Sequence, residues 1–196
     1  MQQVAAKIVG TSPLMMHNGR LVNPLDPIVK EMKKITSKTK KTEEDYDQLA
    51  RLEFIGGLYY DAKIGPYIPA NCLWATIRAG ARLQKKGPAV ERGLMMMDVM
   101  NRLEYAGTRK STEMYDAGFA DIRNAKPPGS SGQVMRCRPM FSPPWSVSFS
   151  MTFDAAQMAS DELRYWTEQA GVLLGLCDGR KGLGMGRFAV EEWVTT

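Results

Sequence analysis

The clearest pattern along the chain is the alternation of apolar and polar residues from Trp145 to Phe153, in the segment WSVSFSMTF. Successive side chains of a strand point to opposite faces of its sheet, so this alternation predicts a half-buried antiparallel strand. A helix is predicted to begin near Ser160, because Asp161 and Glu162 in its first turn interact favourably with the helix dipole. A glycine-rich turn and a final strand, FAVEEWV, follow that helix.

The first half of the chain predicts a strand, a charged helical segment and a further helix. Residues 4–16 are typical of an opening strand that is broken by Gly10 and Pro13. Residues 28–54 predict a short helix, a lysine-rich loop and a second short helix. This block is either a solvated face or an arm that touches nucleic acid or a neighbouring subunit. Residues 56–69 then predict a hairpin, and a helix capped by Asn71 is predicted to run to about Leu83.

The middle of the chain gives a weaker signal. The apolar residues 93–107 fit either a helix or a strand, since a short apolar run does not discriminate between them. Residues 117–125 and 133–141 predict a long projecting hairpin across a proline-, glycine- and serine-rich turn that contains Lys126. Three apolar side chains of its second strand are candidates either for a wedge between bases or for core packing: Met135, Met140 and Phe141.

The order of these elements indicates the fold class. Without its insertions, the chain follows the split β-α-β order of ferredoxin-like and RNA-recognition (RRM-like) folds. We therefore predict an α+β fold consisting of a single domain, residues 1–196, with an insertion at about 28–55 and a hairpin excursion at about 108–142. A chain of 196 residues that is 44% hydrophobic can bury the core of one ordinary domain.

The net charge indicates which class of partner to expect, and the cysteines indicate the cellular compartment. The formal net charge of +5 supports an anionic partner without identifying it. The three cysteines are odd in number, widely spaced and without a CxxC pair, which predicts a reduced, cytoplasmic protein. Neither a secretory signal nor a transmembrane stretch is recognisable, so we expect no membrane partner.

The segment CDGRKGLGMGR, residues 177–187, combines glycines with cations. Glycines let the backbone approach a partner closely and expose its N–H groups, and the cations make a phosphate backbone the expected partner. The GxGxG pattern here follows a helix and precedes a strand, which is the opposite of a dinucleotide-binding loop. The predicted nucleic-acid-binding residues of this segment are Arg180, Lys181, Gly182, Gly184, Gly186 and Arg187.

Candidate catalytic residues are few. His17 is the only histidine, so it cannot belong to a histidine-based metal cluster. It is a general base in an exposed turn beside Arg20, a plain polar turn residue, or a contact to nucleic acid. No zinc-ligand spacing and no GxSxG, HExxH or Walker lysine motif is present, so we expect no cofactor.

Three segments together resemble the RAMP superfamily, and within it the crRNA-binding backbone subunit (Cas-seven type) of CRISPR effector complexes. KIVGTSPLMMHNG is similar to that family's first strand and turn, and PYIPANCLWATIRAGAR to the segment in which a proline-led turn leads into the first helix. GLCDGRKGLGMGRFAV is similar to its C-terminal glycine-rich loop. Trp74 stands where the family often has a lysine, whereas Arg78 keeps the later cation.

The resemblance implies a ferredoxin-like protein that binds single-stranded nucleic acid along a helical filament of identical subunits; RNA is the first expectation for that ligand and ssDNA the alternative. It also implies other CRISPR effector subunits as partners and a role in antiviral defence, either in such a complex or as a compact stand-alone or phage-encoded relative. Outside the glycine-rich segment, the residues predicted to contact nucleic acid are His17, Arg20, Arg78, Arg82, Lys126 and Arg136.

Asp26 is the candidate for catalysis. Some type III backbone subunits cleave bound target RNA with an aspartate in the loop after the first strand, and Asp26 in LVNPLDP lies in that region. It would bind Mg²⁺ and align a 2′-hydroxyl, or it simply forms an Asp-Pro turn. Three hypotheses therefore stay open: a non-catalytic coat on single-stranded nucleic acid, a Mg²⁺-dependent ribonuclease, and a protein-interaction subunit without nucleic acid.

Overall fold

The computed structural model describes residues 1–125, 129 and 132–196. The strands are β1 (Gln2–Gly10), β2 (Leu14–Met15), β3 (Tyr60–Asp61), β4 (Gly65–Pro69), β5 (Leu94–Met96), β6 (Met100–Glu104), β7 (Ala120–Ala125), β8 (Val134–Phe141), β9 (Ser146–Phe153) and β10 (Phe188–Thr195). The helices are α1 (Pro27–Thr36), α2 (Glu43–Gly57), α3 (Ala70–Leu83), α4 (Gly87–Gly93), α5 (Ser111–Met114) and α6 (Ser160–Leu173). Short helical turns span Gly19–Val22, Tyr115–Phe119 and Arg180–Leu183. The α+β class is thus confirmed.

The chain divides into two compact units. Unit 1 consists of residues 1–15, 61–106 and 141–196, and unit 2 of residues 16–60 and 107–140. In unit 1 the sheet contains the strand order β10-β1-β9-β6-β4, and β5 also pairs with β9. Neighbouring strands run antiparallel, for example β1 against both β9 and β10. The central strand β1 is therefore completed by segments from the far end of the chain.

The predicted alternation of β9 is confirmed by burial. Starting with its second residue, every other side chain of β9 is buried. Trp145, just before the strand, is buried as well. A Cβ atom at Gly10 of β1 would lie 2.0 Å from the Trp145 ring, so the ring occupies the space that a side chain there would need. The buried residues of β9 are Val147, Phe149, Met151 and Phe153.

Helices α3 and α6 pack against each other and onto the sheet. Their close approach depends on glycine, because a Cβ atom at Gly80 of α3 would lie 2.1 Å from the Trp166 carbonyl oxygen of α6. On its other side α6 approaches β10, where a Cβ atom at Gly171 would lie 2.2 Å from the Phe188 carbonyl oxygen. None of the helices in the described part of the chain is long and apolar enough to cross a membrane.

Unit 2 contains the predicted helix–loop–helix segment, and both of its helices are capped. Asp26 caps α1, and Thr42 forms a capping box with Asp45 at the start of α2. The predicted hairpin is also present as the antiparallel pair β7–β8, in which Arg123 lies opposite Arg136. Residues 126–128 and 130–131 of its turn, Lys126 included, lie outside the described residues.

Three expectations from the sequence are corrected or resolved. The ambiguous residues 93–107 form the two strands β5 and β6 rather than a helix. Asn71 does not cap α3: the helix begins one residue earlier, directly after Pro69, and has no side-chain cap. Phe141 is fully buried, with its ring edge-to-face against Tyr105 at 4.8 Å, so it is a core residue and not a wedge between bases.

Candidate nucleic-acid interface

Residues 175–187, which connect α6 to β10, form the segment that we name the glycine loop. The neck of the glycine loop is closed by the hydrogen bond from the Leu176 N–H to the Gly186 carbonyl oxygen, at 2.9 Å. Gly186 has a φ of +68°, and a Cβ atom there would lie 2.1 Å from the Leu176 carbonyl oxygen, so only glycine fits. By contrast, nothing lies within 4 Å of the Cβ position of Gly182. The outer side of the glycine loop is thus open to a ligand.

The glycine loop is fastened to the segment that follows β1. The Gly186 N–H donates to the Pro13 carbonyl oxygen at 2.7 Å, and the Asp178 N–H donates to the Met15 carbonyl oxygen at 3.0 Å. The Ser12 hydroxyl accepts from the Arg187 N–H at 2.8 Å and donates to the Gly184 carbonyl oxygen at 2.9 Å. Two segments that are more than 160 residues apart in sequence therefore form one hydrogen-bonded piece.

The first half of α3 meets the glycine loop as well. The Thr76 hydroxyl donates to the Gly175 carbonyl oxygen at 3.5 Å. The thiols of Cys72 and Cys177 are hydrogen-bonded to each other, and this bond, together with burial, holds the pKa of Cys177 well above its usual value. Within unit 1, residues 12–15 and the first half of α3 therefore both contact the glycine loop.

The cations of the glycine loop are available for an anion. Within the described residues, neither the half-buried Arg180 nor the exposed Lys181 takes part in an ion pair. The Nη1 atom of Arg187 is buried and has no hydrogen-bond partner among those residues. A buried donor without a partner is destabilising, and an anion would satisfy it.

The two arginines of α3 are not brought together with the glycine loop. Arg78 forms an ion pair with Glu91 and lies over the Trp74 ring at 5.6 Å. Arg82 is exposed and has no ion pair in the described part of the chain. At about 100° per residue, Arg78 lies about 160° and Arg82 about 120° around α3 from Thr76, which faces the glycine loop.

The remaining predicted contacts belong to unit 2, and two of the three that the structure describes there are ion-paired. Arg20 pairs with Asp26 at 2.8 Å, and Arg136 pairs with the buried Glu53 at 3.2 Å. His17 is exposed, and its carbonyl oxygen accepts from the Tyr59 hydroxyl at 3.2 Å. The fourth residue, Lys126, lies outside the described residues.

Asp26 uses both carboxylate oxygens at the start of α1. Its Oδ1 accepts from the Ile28 N–H and its Oδ2 from Arg20 Nε, each at 2.9 Å. Burial raises the pKa of Asp26, but these hydrogen bonds outweigh it and hold the pKa below the usual value. Over the described residues, no group of three or more His, Cys, Asp or Glu side chains could hold a metal ion. The ribonuclease hypothesis stays a prediction.

The face of the sheet that is not covered by helices offers no stacking platform on its two central strands. RNA-recognition motifs bind RNA by stacking bases on aromatic side chains of the sheet. The exposed or half-buried alternate positions here are Ala5 and Lys7 on β1 and Ser148 and Ser150 on β9, which line a shallow cleft of about 330 Å³. Any nucleic-acid contact is therefore better sought at the glycine loop.

Sequence inspection missed Ser12 and Thr76 as parts of this site. Both are small hydroxyl residues whose hydrogen-bond partners lie 99 or more positions away in sequence. The only local signal was the position of Ser12 between Gly10 and Pro13, where the strand pattern breaks.

Neither a family model nor a curated protein matches this chain. Its structure is similar to that of a chain in "Cryo-EM structure of the Type III-B Cmr-beta bound to cognate target RNA", with a TM-score of 0.53 and 12% sequence identity. The match covers 99% of this chain and 60% of that chain, so this protein spans less than two thirds of its structural neighbour. The similarity establishes a shared fold.

Proposed function

We propose that this protein binds single-stranded RNA through the glycine loop, independently of base sequence. The observation that carries the proposal is that residues 12–15 and α3 both hold a loop whose Arg180 and Lys181 have no ion pair within the described residues. Cations on an open, glycine-rich backbone suit a phosphate chain, because each neutralised phosphate releases counterions.

Each part of the glycine loop has a defined task in this proposal. Arg180 and Lys181 neutralise phosphates, and the open surface at Gly182 lets the strand approach the backbone. Arg187 supplies a buried guanidinium nitrogen that an anion at the base of the glycine loop would satisfy. Contacts of this kind are made to the phosphates and not to the base edges, so they position a strand without selecting its sequence.

We further propose that unit 1 is a ferredoxin-like domain of the RAMP type. Its order β10-β1-β9, continued by β5, with α3 and α6 packed together on the sheet, supports this assignment. The structural neighbour, described as bound to cognate target RNA, supports RNA as the ligand class. On this proposal the chain is a backbone-type subunit that assembles with its own copies along the strand, alone or with other subunits of a CRISPR effector complex.

Fluorescence anisotropy tests the proposal, using labelled ssRNA, ssDNA and duplex DNA of equal length across a salt series. We expect the tightest binding to ssRNA, with a steep loss of affinity as salt rises. Replacing Arg180 and Lys181 by alanine removes two phosphate contacts. The slope of log K against log salt should then become shallower by about 1.4, since each contact to a single strand contributes about 0.7.

The matched control is the double variant Lys33→Ala with Lys40→Ala, which also lowers the formal charge by two at exposed positions. If this control weakens RNA binding as much as the loop variant, the glycine loop is not the specific site: binding is then diffuse electrostatics or involves the lysine-rich block itself. If all three nucleic acids fail to bind, the remaining hypothesis is a protein-interaction subunit.

A further inference from the structure

Two of the exposed apolar surfaces in the described part of the chain differ in shape. Residues 95–100, from the last two residues of β5 to the first residue of β6, form the methionine loop of unit 1, in which Met95 is 61%, Met97 53% and Val99 78% exposed. Clustered apolar side chains in water mark an interaction surface, and methionine adapts well to an irregular partner.

The second surface is concave and lies in unit 2. The α1 cleft is an open apolar hollow of about 360 Å³ lined by Pro27, Ile28, Lys30, Glu31 and Leu52. The segment that leads into α1 exposes Val22 and Leu25, at 80% and 71%. An apolar cavity of about 150 Å³ can already hold a benzene ring, so the α1 cleft has room for apolar side chains of a partner.

The charges at the two surfaces are complementary. The methionine loop carries one ionisable residue, Asp98, which is exposed and has no ion pair within the described residues. At the α1 cleft, Glu31 is already paired with Lys34 at 2.6 Å. Lys30 has no ion pair in the described part of the chain, so its ammonium is left for an incoming carboxylate.

We infer that the methionine loop of one copy docks in the α1 cleft of a second copy, with Asp98 beside Lys30. A contact between two different patches of the same chain is heterologous, so it propagates into a filament or closes into a ring. This inference rests on the proposed self-assembly and names the surfaces that produce it. A nucleic-acid strand is the less suitable occupant, because residues 94–101 contain Asp98 and no cation to neutralise phosphates.

Sedimentation velocity on the nucleic-acid-free full chain, over a concentration series, tests the inference. We expect wild-type protein to form larger species as its concentration rises. Val99→Glu on the methionine loop and Ile28→Glu in the α1 cleft each place a charge in the apolar contact, so the apparent dissociation constant should rise by about tenfold or more. The control Val172→Glu, at a position on α6 that is 65% exposed, should associate like wild type.

Mixing gives the decisive result. Val99→Glu keeps a functional cleft and Ile28→Glu keeps a functional loop, so an equal mixture should form dimers that grow no further. Charge exchange provides a second test: Asp98→Lys and Lys30→Glu should each weaken association, and the double variant should regain it. Wild-type protein that stays monomeric to the limit of solubility, or a mixture that does not dimerise, overturns the inference.

RNA binding separates this inference from the proposed function. Monomeric Val99→Glu should still bind a short ssRNA, whereas Arg180→Ala with Lys181→Ala should lose RNA affinity and keep the association of wild type. If Val99→Glu abolishes binding to short RNA and leaves sedimentation unchanged, the methionine loop is a nucleic-acid contact and the docking inference is wrong.

Discussion

Ser12 shows how much of the glycine loop depends on one small side chain. Its hydroxyl both accepts from the Arg187 N–H and donates to the Gly184 carbonyl oxygen, and its own carbonyl oxygen accepts from Trp145 Nε1 at 2.8 Å. One residue therefore links the end of β1, the glycine loop and the core tryptophan through its hydrogen bonds. A loop held in this way can present its cations without reorganising on binding.

Ser12→Ala should destabilise the protein by about 1–3 kcal/mol, because it leaves a loop N–H and a carbonyl group without their partner. Urea unfolding measures the change as a lower midpoint at an unchanged slope. Ser12→Thr keeps the hydroxyl and serves as the control. Equal stability of the alanine variant and wild type would show that the hydroxyl does not hold the glycine loop.

Cys137 should be chemically inert in the folded protein. It is fully buried in β8, and burial raises the pKa of its thiol to about 12. At pH 8 only about one thiol in 10⁴ is then ionised, and the thiolate is the form that reacts. In the background Cys72→Ser with Cys177→Ser, iodoacetamide should label the protein only after denaturation. Rapid labelling of the native form would contradict the burial of Cys137.

Asp116 should contribute to stability in a defined pH range. The hydrogen bonds from Arg51, at 2.7 and 2.9 Å, hold the pKa of Asp116 below its usual value. A carboxyl group with a lowered pKa in the folded state stabilises above its unfolded pKa, near 4, and loses that contribution as the pH falls through the folded pKa. Chemical denaturation from pH 7 to 2 should therefore show that the free energy of unfolding falls less at acid pH for Asp116→Asn than for wild type. An identical pH profile would mean that the pair contributes nothing.

At the scale of elements, the contact between α3 and α6 is a close helix packing that depends on glycine. A residue without a side chain stands where the two helices approach, at Gly80 opposite the Trp166 carbonyl group. Since α3 also holds the glycine loop through Thr76, the helix contact indirectly positions the site. The packing of two helices is thus part of what presents the loop cations.

Gly80→Ala should cost about 1–3 kcal/mol in the free energy of unfolding, since the added Cβ atom would lie 2.1 Å from a backbone oxygen and the helices must separate. Gly19→Ala is the matched control, because nothing lies within 4 Å of its Cβ position. Thermal unfolding of both variants checks this. A Gly80→Ala protein as stable as the control would show that α6 can shift without strain.

Elements with a regular period were predictable from the sequence, and long-range pairings were not. The alternation in β9 and the helix–loop–helix segment were evident from local spacing, and they are confirmed. Residues 93–107 were ambiguous because three- and five-residue strands are too short to establish a period. Asn71 was wrongly predicted to cap α3, because β4 runs into the helix without an intervening turn.

The candidate site was predictable only in part, because local composition marks the glycine loop but not the long-range contacts that hold it. Glycines and cations revealed the glycine loop by composition alone, but the bonds that hold it involve Ser12 and Gly184, 172 positions apart. The ion pair of Arg78 with Glu91 spans 13 positions, beyond the spacing of pairs along one helix. Tertiary contacts therefore decide which of the predicted cations are left for a ligand.

At the scale of the whole molecule, RNA binding and stability should be linked. A ligand that binds only the folded state raises the free energy of unfolding, by about 2.7 kcal/mol at 100 times its Kd. Calorimetry with and without a short ssRNA at that excess should therefore show a higher Tm for wild type. Arg180→Ala with Lys181→Ala should show a smaller shift, and an equal shift in this variant would place the RNA elsewhere.

The position of β1 in the sheet has a consequence for folding during translation. β1 is complete at Gly10, but its first partner, β9, begins at Ser146, about 135 residues later. At roughly 5–20 residues per second, a ribosome needs about 7–27 s to supply that partner. During this interval the apolar side chains of β1 have no sheet to enter, so unit 1 cannot fold as it is synthesised. Its folding waits for translation to reach β10, which makes the nascent chain a natural client for chaperones.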